Sequence, residues 1–443
     1  MRLEKLEIEN FKCFKSKKAF DFSRITILTG ANSSGKSTVM QAVLGAVQTD
    51  GFPFYYSPNG KYVNLGDFNE IISANNLENF FFAINIIESK DSYPIQTTWK
   101  QDSINFLPCL DKIKIETDKQ TVEAYLIDEN LVKFEFSFFE KFDIDLDFEN
   151  IKKIFDTYHV AYNNDKANNK FNIALALEDL EVFIFDIIDT KDYRISVFRK
   201  RILSYLSLIE LSLNQEPYNN INYIGPYRNS PSRTYLEKNK LDFKIGVEGE
   251  GYIDQIVDWE KRSNGKIKKL VEVLKELDLI EDIKVNRLTG GRFELLVQAK
   301  NSKILTSLTN VGFGVSQFLP IIVADLQLSD NSTLFLAEPE IHLHPSIQSK
   351  FGEYIVNQIN TTGKNYVIET HSEYFLNRIR LAIVKGELKK EDVKVYFLEN
   401  NGDDTEVFDI DFTKTGAIKN APDNFFETYG IDVMDIALNS FAE

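Results

Sequence analysis

The sequence predicts an α/β protein in which helices accompany a mixed sheet, with an antiparallel β layer and a mainly helical insertion. Three observations predict this architecture. An apolar run at residues 25–29 leads into a glycine-rich turn and a helical pattern, which indicates a strand, a tight turn and a helix. Five strand-like runs follow between residues 80 and 138. Residues 139–220 then have a helical and acidic pattern.

The 443-residue chain is long enough for two or three domains, or for one large domain with an insertion. We expect three parts. Residues 1–138 form the N-terminal half of the main domain with the β layer, and residues 139–220 form the helical insertion. Residues 221–443 form the C-terminal half with a short extension.

Composition and charge exclude several classes of protein. The formal net charge of −16 disfavours a protein that coats nucleic acid with its whole surface. Cys13 and Cys109 are the only cysteines, which excludes a disulfide framework and a cysteine-based zinc site. The first residues lack the apolar core of a signal peptide, and no run approaches the ~18 apolar residues of a membrane span. We therefore expect a cytoplasmic protein with no membrane partner.

The sequence of the N-terminal region predicts a series of strands. Two of them, Arg2–Glu9 and Ser23–Thr29, are joined by a lysine-rich link that fits either a phosphate-backbone contact or a solvated hairpin. The lysines of this link are Lys12, Lys15, Lys17 and Lys18. The strands of the antiparallel layer are predicted at Phe80–Ile87, Tyr93–Lys100, Lys112–Thr117, Thr121–Ile127 and Leu131–Phe138.

Between the second strand and the first helix, Gly30–Ser37 fits the phosphate-loop pattern G-x-x-x-x-G-K-[ST]. Glycines allow the backbone to place several N–H groups around phosphate oxygens, and the helix adds its positive N-terminal dipole. Lys36 would pair with the β- and γ-phosphates of ATP, and the Ser37 hydroxyl would ligate Mg²⁺. The alternative is a glycine-serine turn before a surface helix. The predicted nucleotide-binding residues are Gly30, Ala31, Asn32, Ser33, Ser34, Gly35, Lys36, Ser37 and Thr38.

Two basic features of the middle region allow two interpretations each. Arg228 follows a strand and a Gly-Pro turn, where its planar fork either binds an anion or pairs with a local acid. The basic run Lys261–Lys269 fits either a nucleic-acid contact or a solvated face of the helices predicted over residues 252–278. A hairpin turned at Thr289–Gly291 is predicted over residues 283–299.

The C-terminal half brings further polar groups to strand ends. Asn310–Pro320 is a glycine-rich turn that opens an apolar helix, and such a turn presents N–H groups to phosphate. The buried strand that follows ends in Glu338 and Glu340, and a later strand, residues 365–368, ends in Glu369–Ser372. Open α/β sheets bind ligands at this edge, where a carboxylate can hold Mg²⁺ or orient the attacking water.

Three of the four histidines, His342, His344 and His371, lie beside these strand ends. Their concentration indicates a site. A dedicated zinc centre is disfavoured, because His342 and His344 at i, i+2 would diverge on a helix and no H-E-x-x-H spacing occurs.

The order of these motifs resembles the ABC-type ATPase heads of the SMC/RecF/OLD superfamily. The strings at Gly225–Arg228, Val311–Pro320, Glu338–Pro345 and Pro422–Phe426 are most similar to bacterial AAA-family ATPases with a short C-terminal domain of unknown function. Many such ATPases are encoded in anti-phage defence operons. The resemblance covers roughly residues 1–90 and 220–435 but not the insertion between them, and it implies an ABC-type P-loop ATPase head.

The resemblance also implies a composite ATP site. Two heads would dimerise head to tail and enclose two ATP molecules, each between the phosphate loop of one copy and the signature turn of the other. Glu338 matches the catalytic glutamate, Ile341–His344 the loop that communicates across the dimer, and His371 the histidine that senses the γ-phosphate. Lys36 completes the predicted catalytic set. The signature-turn residues that would contact ATP are Gly312, Gly314, Ser316 and Gln317.

Two departures from the family pattern concern the metal and the signature turn. Ala337 stands where many members have an acidic Mg²⁺ ligand, so the predicted metal ligands are Ser37, Glu338 and Glu340. Gly312 stands at the usual signature serine, which leaves Ser316 as the available hydroxyl. These departures bear on the hydrolysis rate more than on nucleotide binding.

We expect a Mg²⁺-dependent ATPase whose ATP-driven homodimerisation, or higher oligomerisation, regulates a separate effector protein in anti-phage defence. The complete nucleotide motifs, together with too little sequence after Ser372 for the nuclease domain of OLD-type ATPases, motivate this expectation. The lack of a long heptad region disfavours chromosome condensation by tethering. One alternative is a RecF-like DNA-binding repair ATPase that uses the lysines named above. Another is a non-hydrolysing nucleotide switch, which Ala337 favours.

Overall fold

The computed structural model describes most of the chain, as two compact units. Unit 1 includes Leu3–Asp21 and Gln41–Asn219, and unit 2 includes Phe22–Met40 and Asn220–Glu443. The three-part division predicted from the sequence stays a prediction. The described residues are 2–73, 79–87, 95–116, 120–127, 131–139, 149–165, 167–180, 182–183, 220–238, 244–262, 265–422 and 425.

Unit 1 is built on a large sheet. The strands before residue 177 are β1 (Arg2–Glu9), β2 (Lys18–Asp21), β3 (Ile25–Gly30), β4 (Phe80–Ile87), β5 (Ile95–Gln101), β6 (Pro108–Glu116), β7 (Gln120–Leu126), β8 (Leu131–Phe138), β9 (Ala161–Asp165) and β10 (Lys170–Ala176). The helices of the same stretch are α1 (Lys36–Val47), α2 (Phe68–Ile71) and α3 (Glu149–Thr157). All of these strands except β3 form one nine-stranded sheet in the order β2-β1-β4-β5-β6-β7-β8-β10-β9.

The predicted antiparallel layer is confirmed in this sheet. Each neighbouring pair from β4 to β9 is antiparallel. In β8 the residues alternate regularly between half-buried and buried, which is the pattern of a sheet with one covered face.

The mainly helical character predicted for residues 139–220 is wrong where β9 and β10 lie. These two strands form a hairpin that extends the sheet beyond β8. In β10 the buried residues Phe171, Ile173 and Leu175 alternate with more exposed ones, a strand period of two that outweighs the asparagines around it. The helical prediction holds at α3, and residues 184–219 lie outside the described residues.

Unit 2 contains β3 and the C-terminal elements. Its further strands are β11 (Ile221–Ile224), β12 (Tyr235–Leu236), β13 (Ile280–Arg287), β14 (Arg292–Ala299), β15 (Leu305–Ser307), β16 (Thr333–Ala337), β17 (Asn365–Glu369), β18 (Val393–Asn400), β19 (Thr405–Phe412) and β20 (Ile418–Lys419). Its further helices are α4 (Tyr252–Arg262), α5 (Lys266–Glu276), α6 (Phe313–Gln327), α7 (Pro345–Thr362) and α8 (Glu373–Lys385). No helix in the described part of the chain is long and apolar enough to cross a membrane.

Two sheets organise unit 2. The larger has the order β11-β16-β17-β3-β18-β19-β20; its first five strands are parallel, and β19 and β20 add antiparallel pairs. The smaller is antiparallel and contains the predicted hairpin, as β13 and β14, with β12 and β15 paired to β14. Every residue of β3, β16 and β17 is buried, as expected for parallel strands covered on both faces.

Because of the register of the parallel strands, β3, β16 and β17 end side by side at the same edge of the sheet. Glu369, the last residue of β17, pairs with Ala337 of β16 on one side and with Leu28 of β3 on the other. The N–H of Glu338 donates to the carbonyl oxygen of Glu369 over 2.8 Å. The loops that follow β3, β16 and β17 therefore leave the sheet side by side.

A buried polar group, which we call the Asp325 cluster, joins two helices to this sheet. Asp325 of α6 accepts hydrogen bonds from the hydroxyls of Tyr354 of α7 and Tyr366 of β17, the latter at 2.8 Å. The ammonium of Lys364 lies 3.3 Å from the same carboxylate. The side chains of Asp325 and Lys364 are only 1% and 4% exposed, so the ion pair is closed to solvent.

Candidate active site

The phosphate loop lies between β3 and α1. Gly30 and Gly35 have positive φ angles of 133° and 100°, and Ser33 has one of 61°. A Cβ atom on Gly30 would lie 2.1 Å from the carbonyl oxygen of Leu398 in the neighbouring strand β18, so only glycine fits at this close approach. The first turn of α1 carries no acidic side chain that would oppose an anion at the helix N-terminus.

Lys36, the first residue of α1, is held by the loop itself. Its side chain is buried, and Nζ donates to the carbonyl oxygens of Gly30 at 3.2 Å and Ala31 at 2.8 Å. Burial lowers the pKa of Lys36, while the charges of Glu369 and two further carboxylates oppose that shift. The ammonium thus lies among carboxylates at the mouth of the loop, where a phosphate would compete for it.

Ser37 and Glu369 are joined by a hydrogen bond. The Ser37 hydroxyl donates to Oε1 of Glu369 over 2.8 Å. Glu369 is 4% exposed, and burial raises its pKa, whereas the Ser37 hydrogen bond and the charge of Lys36 lower it. A hydroxyl and a carboxylate are the hard oxygen donors that Mg²⁺ prefers, so the two residues fit a Mg²⁺ ion beside the phosphates. The sequence predicts Ser37 as a Mg²⁺ ligand, but Glu369 only as one of several polar residues at the strand end.

The two glutamates after β16 have different surroundings. Glu338 adopts a left-handed backbone with a φ of 45°, which is unusual for a residue other than glycine. Glu340 accepts the backbone N–H of His371 through Oε1 over 2.6 Å, whereas its Oε2 is buried and has no hydrogen-bond partner. Burial raises the pKa of Glu340. Neither glutamate has a described hydrogen bond to Ser37, whereas Glu369 has one. Metal binding by Glu338 and Glu340 stays a prediction.

His371 follows β17 by two residues and lies in the field of Lys36 and Glu338. Partial burial and the charge of Lys36 lower the pKa of the imidazole below its ordinary value of 6.5, and Glu338 opposes the shift. The ring is therefore neutral at neutral pH and has one N–H to donate. The structure thus brings the predicted residues Lys36, Glu338 and His371 into one charged site.

Arg228 is buried behind this site. Its Nε donates to the carbonyl oxygen of Gly225 at 3.0 Å, and Nη2 donates to those of Ala337 and Glu338, both at 2.9 Å. Gln317 of α6 donates in return to the carbonyl oxygen of Arg228 at 3.0 Å. Burial lowers the pKa of Arg228 to about 10, so the side chain is charged at neutral pH. Of the two interpretations drawn from the sequence, these contacts favour a residue that organises the backbone.

The predicted signature turn is split between surface and interior. Gly312 and Phe313, at the start of α6, are exposed, and no side chain caps the helix. A Cβ on Gly314 would lie 2.6 Å from the carbonyl oxygen of His342, whose ring packs edge-on against that of Phe313 at 4.7 Å between centroids. Ser316 is 2% exposed and its hydroxyl donates to the carbonyl oxygen of Phe313 at 2.9 Å.

Ser316 and Gln317 are therefore turned into the protein, whereas Gly312 is exposed and Gly314 is half-buried. An ATP contact by these four residues stays a prediction. His344 has a different role, because its Nδ1 accepts the N–H of Ser346 and caps α7. Within the described residues no group of three or more His, Cys, Asp and Glu side chains could hold a metal ion. A Mg²⁺ ion bound by a hydroxyl, one carboxylate and phosphates does not require such a group.

These features define a class of protein. A phosphate loop between a buried strand and a helix, at the carboxyl edge of a mostly parallel sheet with strand-end carboxylates, is typical of P-loop nucleotide-binding α/β proteins. The chain matches the AAA ATPase domain family over residues 1–376 and belongs to that family. Membership supports nucleotide binding and ATP hydrolysis, for which Mg²⁺ is the usual metal.

Three solved structures are similar to this chain. An SMC head domain from Thermotoga maritima has a TM-score of 0.39 at 12% identity and covers 93% of this chain and 100% of its own. An SmcHead bound to the C-winged helix domain of ScpA has a TM-score of 0.44 at 11% identity, with coverage of 93% and 98%. An Smc head domain with an extended coiled coil, bound to the C-terminal domain of ScpA and derived from Pyrococcus furiosus, scores 0.41 at 12% identity, covering 100% and 99%. No curated protein matches the chain.

Proposed function

We propose that the chain is a Mg²⁺-dependent ATPase that hydrolyses ATP in a site completed by a second copy of itself. The observation that carries this proposal is the meeting of Lys36, Ser37, Glu338, Glu369 and His371 at one edge of the sheet. These residues come from three loops that are far apart in the sequence. A structural glycine turn would need neither the buried Lys36 nor the buried Glu369 around its helix N-terminus.

Each side chain has a task that follows from its surroundings. Lys36 exchanges the carbonyl oxygens of Gly30 and Ala31 for the β- and γ-phosphates, which are stronger acceptors because they are charged. Ser37 and a neighbouring carboxylate hold the metal. A Mg²⁺ ion held there would neutralise charge on the transferred phosphoryl group. Glu338 orients the attacking water, and the neutral His371 donates its N–H to the γ-phosphate.

The second copy is proposed because of the exposed turn at Gly312 and Phe313. It opens α6 without a side-chain cap, so its N–H groups are available to an anion from outside the chain. In a head-to-tail pair, the turn of one copy covers the phosphate loop of the other. The same proposal includes the regulation of a separate effector protein in anti-phage defence, which rests on the family resemblance alone.

Hydrolysis by two point variants tests the proposed activity. Lys36→Ala removes the phosphate-binding ammonium, and Glu338→Gln keeps the shape of the water-orienting side chain but removes its charge. We expect steady-state phosphate release to fall at least ~100-fold in both variants, the range found when a preorganised electrostatic group is removed. ATP binding should be lost in Lys36→Ala and kept in Glu338→Gln. Wild-type turnover in both variants would contradict the proposal.

The two alternatives receive less support from the described residues. For DNA binding, several predicted contact lysines are already engaged: Lys17 lies 2.6 Å from Glu7, Lys261 lies 3.1 Å from Glu237, and Lys266 donates to a backbone carbonyl. Such pairs must be broken before phosphates can be bound. For a non-hydrolysing switch, Ala337 was the argument, but Glu369 places a carboxylate opposite it on the neighbouring strand.

A further inference from the structure

Glu369 provides a carboxylate at the candidate metal site that the sequence pattern does not predict as a metal ligand. Ala337 ends β16 at the position where an acidic residue is expected, and its Cα partner across the parallel pair is Glu369 of β17. Paired residues of neighbouring strands lie about 4.8 Å apart and point to the same face of a sheet. Glu369 can therefore serve the same side of the sheet edge as a side chain at position 337.

Glu369 is also closer in the sheet to the phosphate loop than Ala337. β17 lies between β16 and β3, and β3 leads directly into the loop. The hydrogen bond of 2.8 Å from the Ser37 hydroxyl to Oε1 of Glu369 shows that the carboxylate reaches the metal-binding hydroxyl. A glutamate is one methylene longer than an aspartate and so adds reach to this position.

We propose that Glu369 is the carboxylate ligand of Mg²⁺, in place of the acidic residue that Ala337 replaces, and that Ser37 is its partner. This inference rests on the proposed function. It changes the predicted metal set, because Glu338 and Glu340 are then released from metal binding. Glu340 accepts the backbone N–H of His371 instead. Glu338 is then left to orient the attacking water.

The metal itself can be followed with Mn²⁺, whose paramagnetic resonance signal reports free and bound ion without any turnover. Full-length wild-type protein and its variants are titrated with Mn²⁺ in the presence of a non-hydrolysable ATP analogue. We expect Glu369→Gln to weaken Mn²⁺ binding at least ~10-fold, the effect usual for loss of a group that holds or orients a metal. Glu340→Gln tests the competing metal set and should weaken Mn²⁺ binding less than Glu369→Gln does, because Glu340 accepts the backbone N–H of His371 and has no described hydrogen bond to Ser37.

A rescue variant separates a ligand from a residue that merely supports Ser37. Ala337→Asp combined with Glu369→Gln restores a carboxylate at the paired position, and we expect it to recover most of the lost Mn²⁺ affinity. Analogue binding in EDTA checks that each variant is folded. Unchanged Mn²⁺ affinity in Glu369→Gln, a larger loss in Glu340→Gln, or failure of the rescue would overturn the inference. If the wild type binds no analogue at all, the proposed function fails instead.

Discussion

Arg228 donates a hydrogen bond of 2.9 Å from Nη2 to the carbonyl oxygen of Glu338. The same nitrogen donates to the carbonyl oxygen of Ala337, so the guanidinium holds two consecutive carbonyl groups at the point where β16 ends and the following turn begins. Glu338 has a φ of 45°, a conformation that costs a residue other than glycine about 1–3 kcal/mol. We therefore expect Arg228 to act as a positioning residue that offsets this strain and fixes the direction of the Glu338 side chain.

Loss of this contact should slow hydrolysis without preventing ATP from binding. Arg228→Met keeps much of the volume but removes every hydrogen bond to the Glu338 backbone. We expect kcat to fall at least ~10-fold, because misplacement of a catalytic group by about 1 Å has effects of that order or larger. The dissociation constant of an ATP analogue should change less than ~3-fold, because Arg228 contacts backbone oxygens and not the phosphate loop. Phosphate release and analogue fluorescence measure the two quantities.

Arg233→Met is the control for this experiment, because Arg233 is exposed and lies five residues further along the same segment. It should leave both quantities unchanged. Arg228→Lys should regain only part of kcat, because an ammonium cannot reproduce the planar set of bonds. If analogue affinity and kcat fell together in Arg228→Met, the residue would serve general folding and not the position of Glu338.

The packing of the signature turn predicts a difference between two neighbouring glycines. A Cβ on Gly314 would lie 2.6 Å from the carbonyl oxygen of His342, whereas a Cβ on Gly312 meets nothing within 4 Å. Gly314→Ala should therefore lower the free energy of unfolding by about 1–3 kcal/mol, the usual cost of overpacking. Gly312→Ala should cost only about 0.5 kcal/mol or less, the range for a helix N-cap glycine replaced by alanine in the absence of a side-chain cap bond. Urea unfolding measures both, and equal values would argue against the contact with His342.

The Asp325 cluster lies outside the candidate active site. Its buried ion pair predicts that substitution of Asp325 has a large effect on the free energy of unfolding. Asp325→Asn leaves the buried ammonium of Lys364 without its counter-charge, which should cost about 3–5 kcal/mol. Adding Lys364→Met should recover much of that loss, because the unpaired charge is then gone. As a comparison, Lys385→Met breaks an exposed pair with Glu387 and should change stability by less than about 0.5 kcal/mol. A double variant no more stable than Asp325→Asn would show that the ion pair is not the source of the effect.

Local sequence patterns predicted those features whose residues lie close together in the chain. The phosphate loop could be recognised because Gly30, Gly35 and Lys36 act within a single turn. The hydrogen bond between Glu369 and Ser37 could not be predicted, because it depends on the register of β17 against β16 and β3. Arg228 was ambiguous for the same reason, since its partners are backbone oxygens of distant segments.

Two other differences between the sequence predictions and the structure also depend on contacts that form only in the folded chain. β9 and β10 were missed because asparagines in a hairpin resemble a loop, and only pairing with β8 reveals the strands. Ser316 was predicted to supply the hydroxyl of the signature turn because Gly312 stands at the usual signature serine. In the structure, the start of α6 turns its hydroxyl back to the carbonyl oxygen of Phe313.

Complementation between two inactive variants tests the central claim most directly. Lys36→Ala disables the phosphate loop, and Gly312→Glu adds a charge to the exposed turn at a place where the chain itself has free space. In a head-to-tail pair of the two variants, one of the two sites combines an intact loop with an intact turn. An equal mixture should therefore regain about a quarter of the wild-type rate, since half of the dimers are mixed and each has one working site. A mixture that stays at the background of the separate variants would contradict a site shared between two copies.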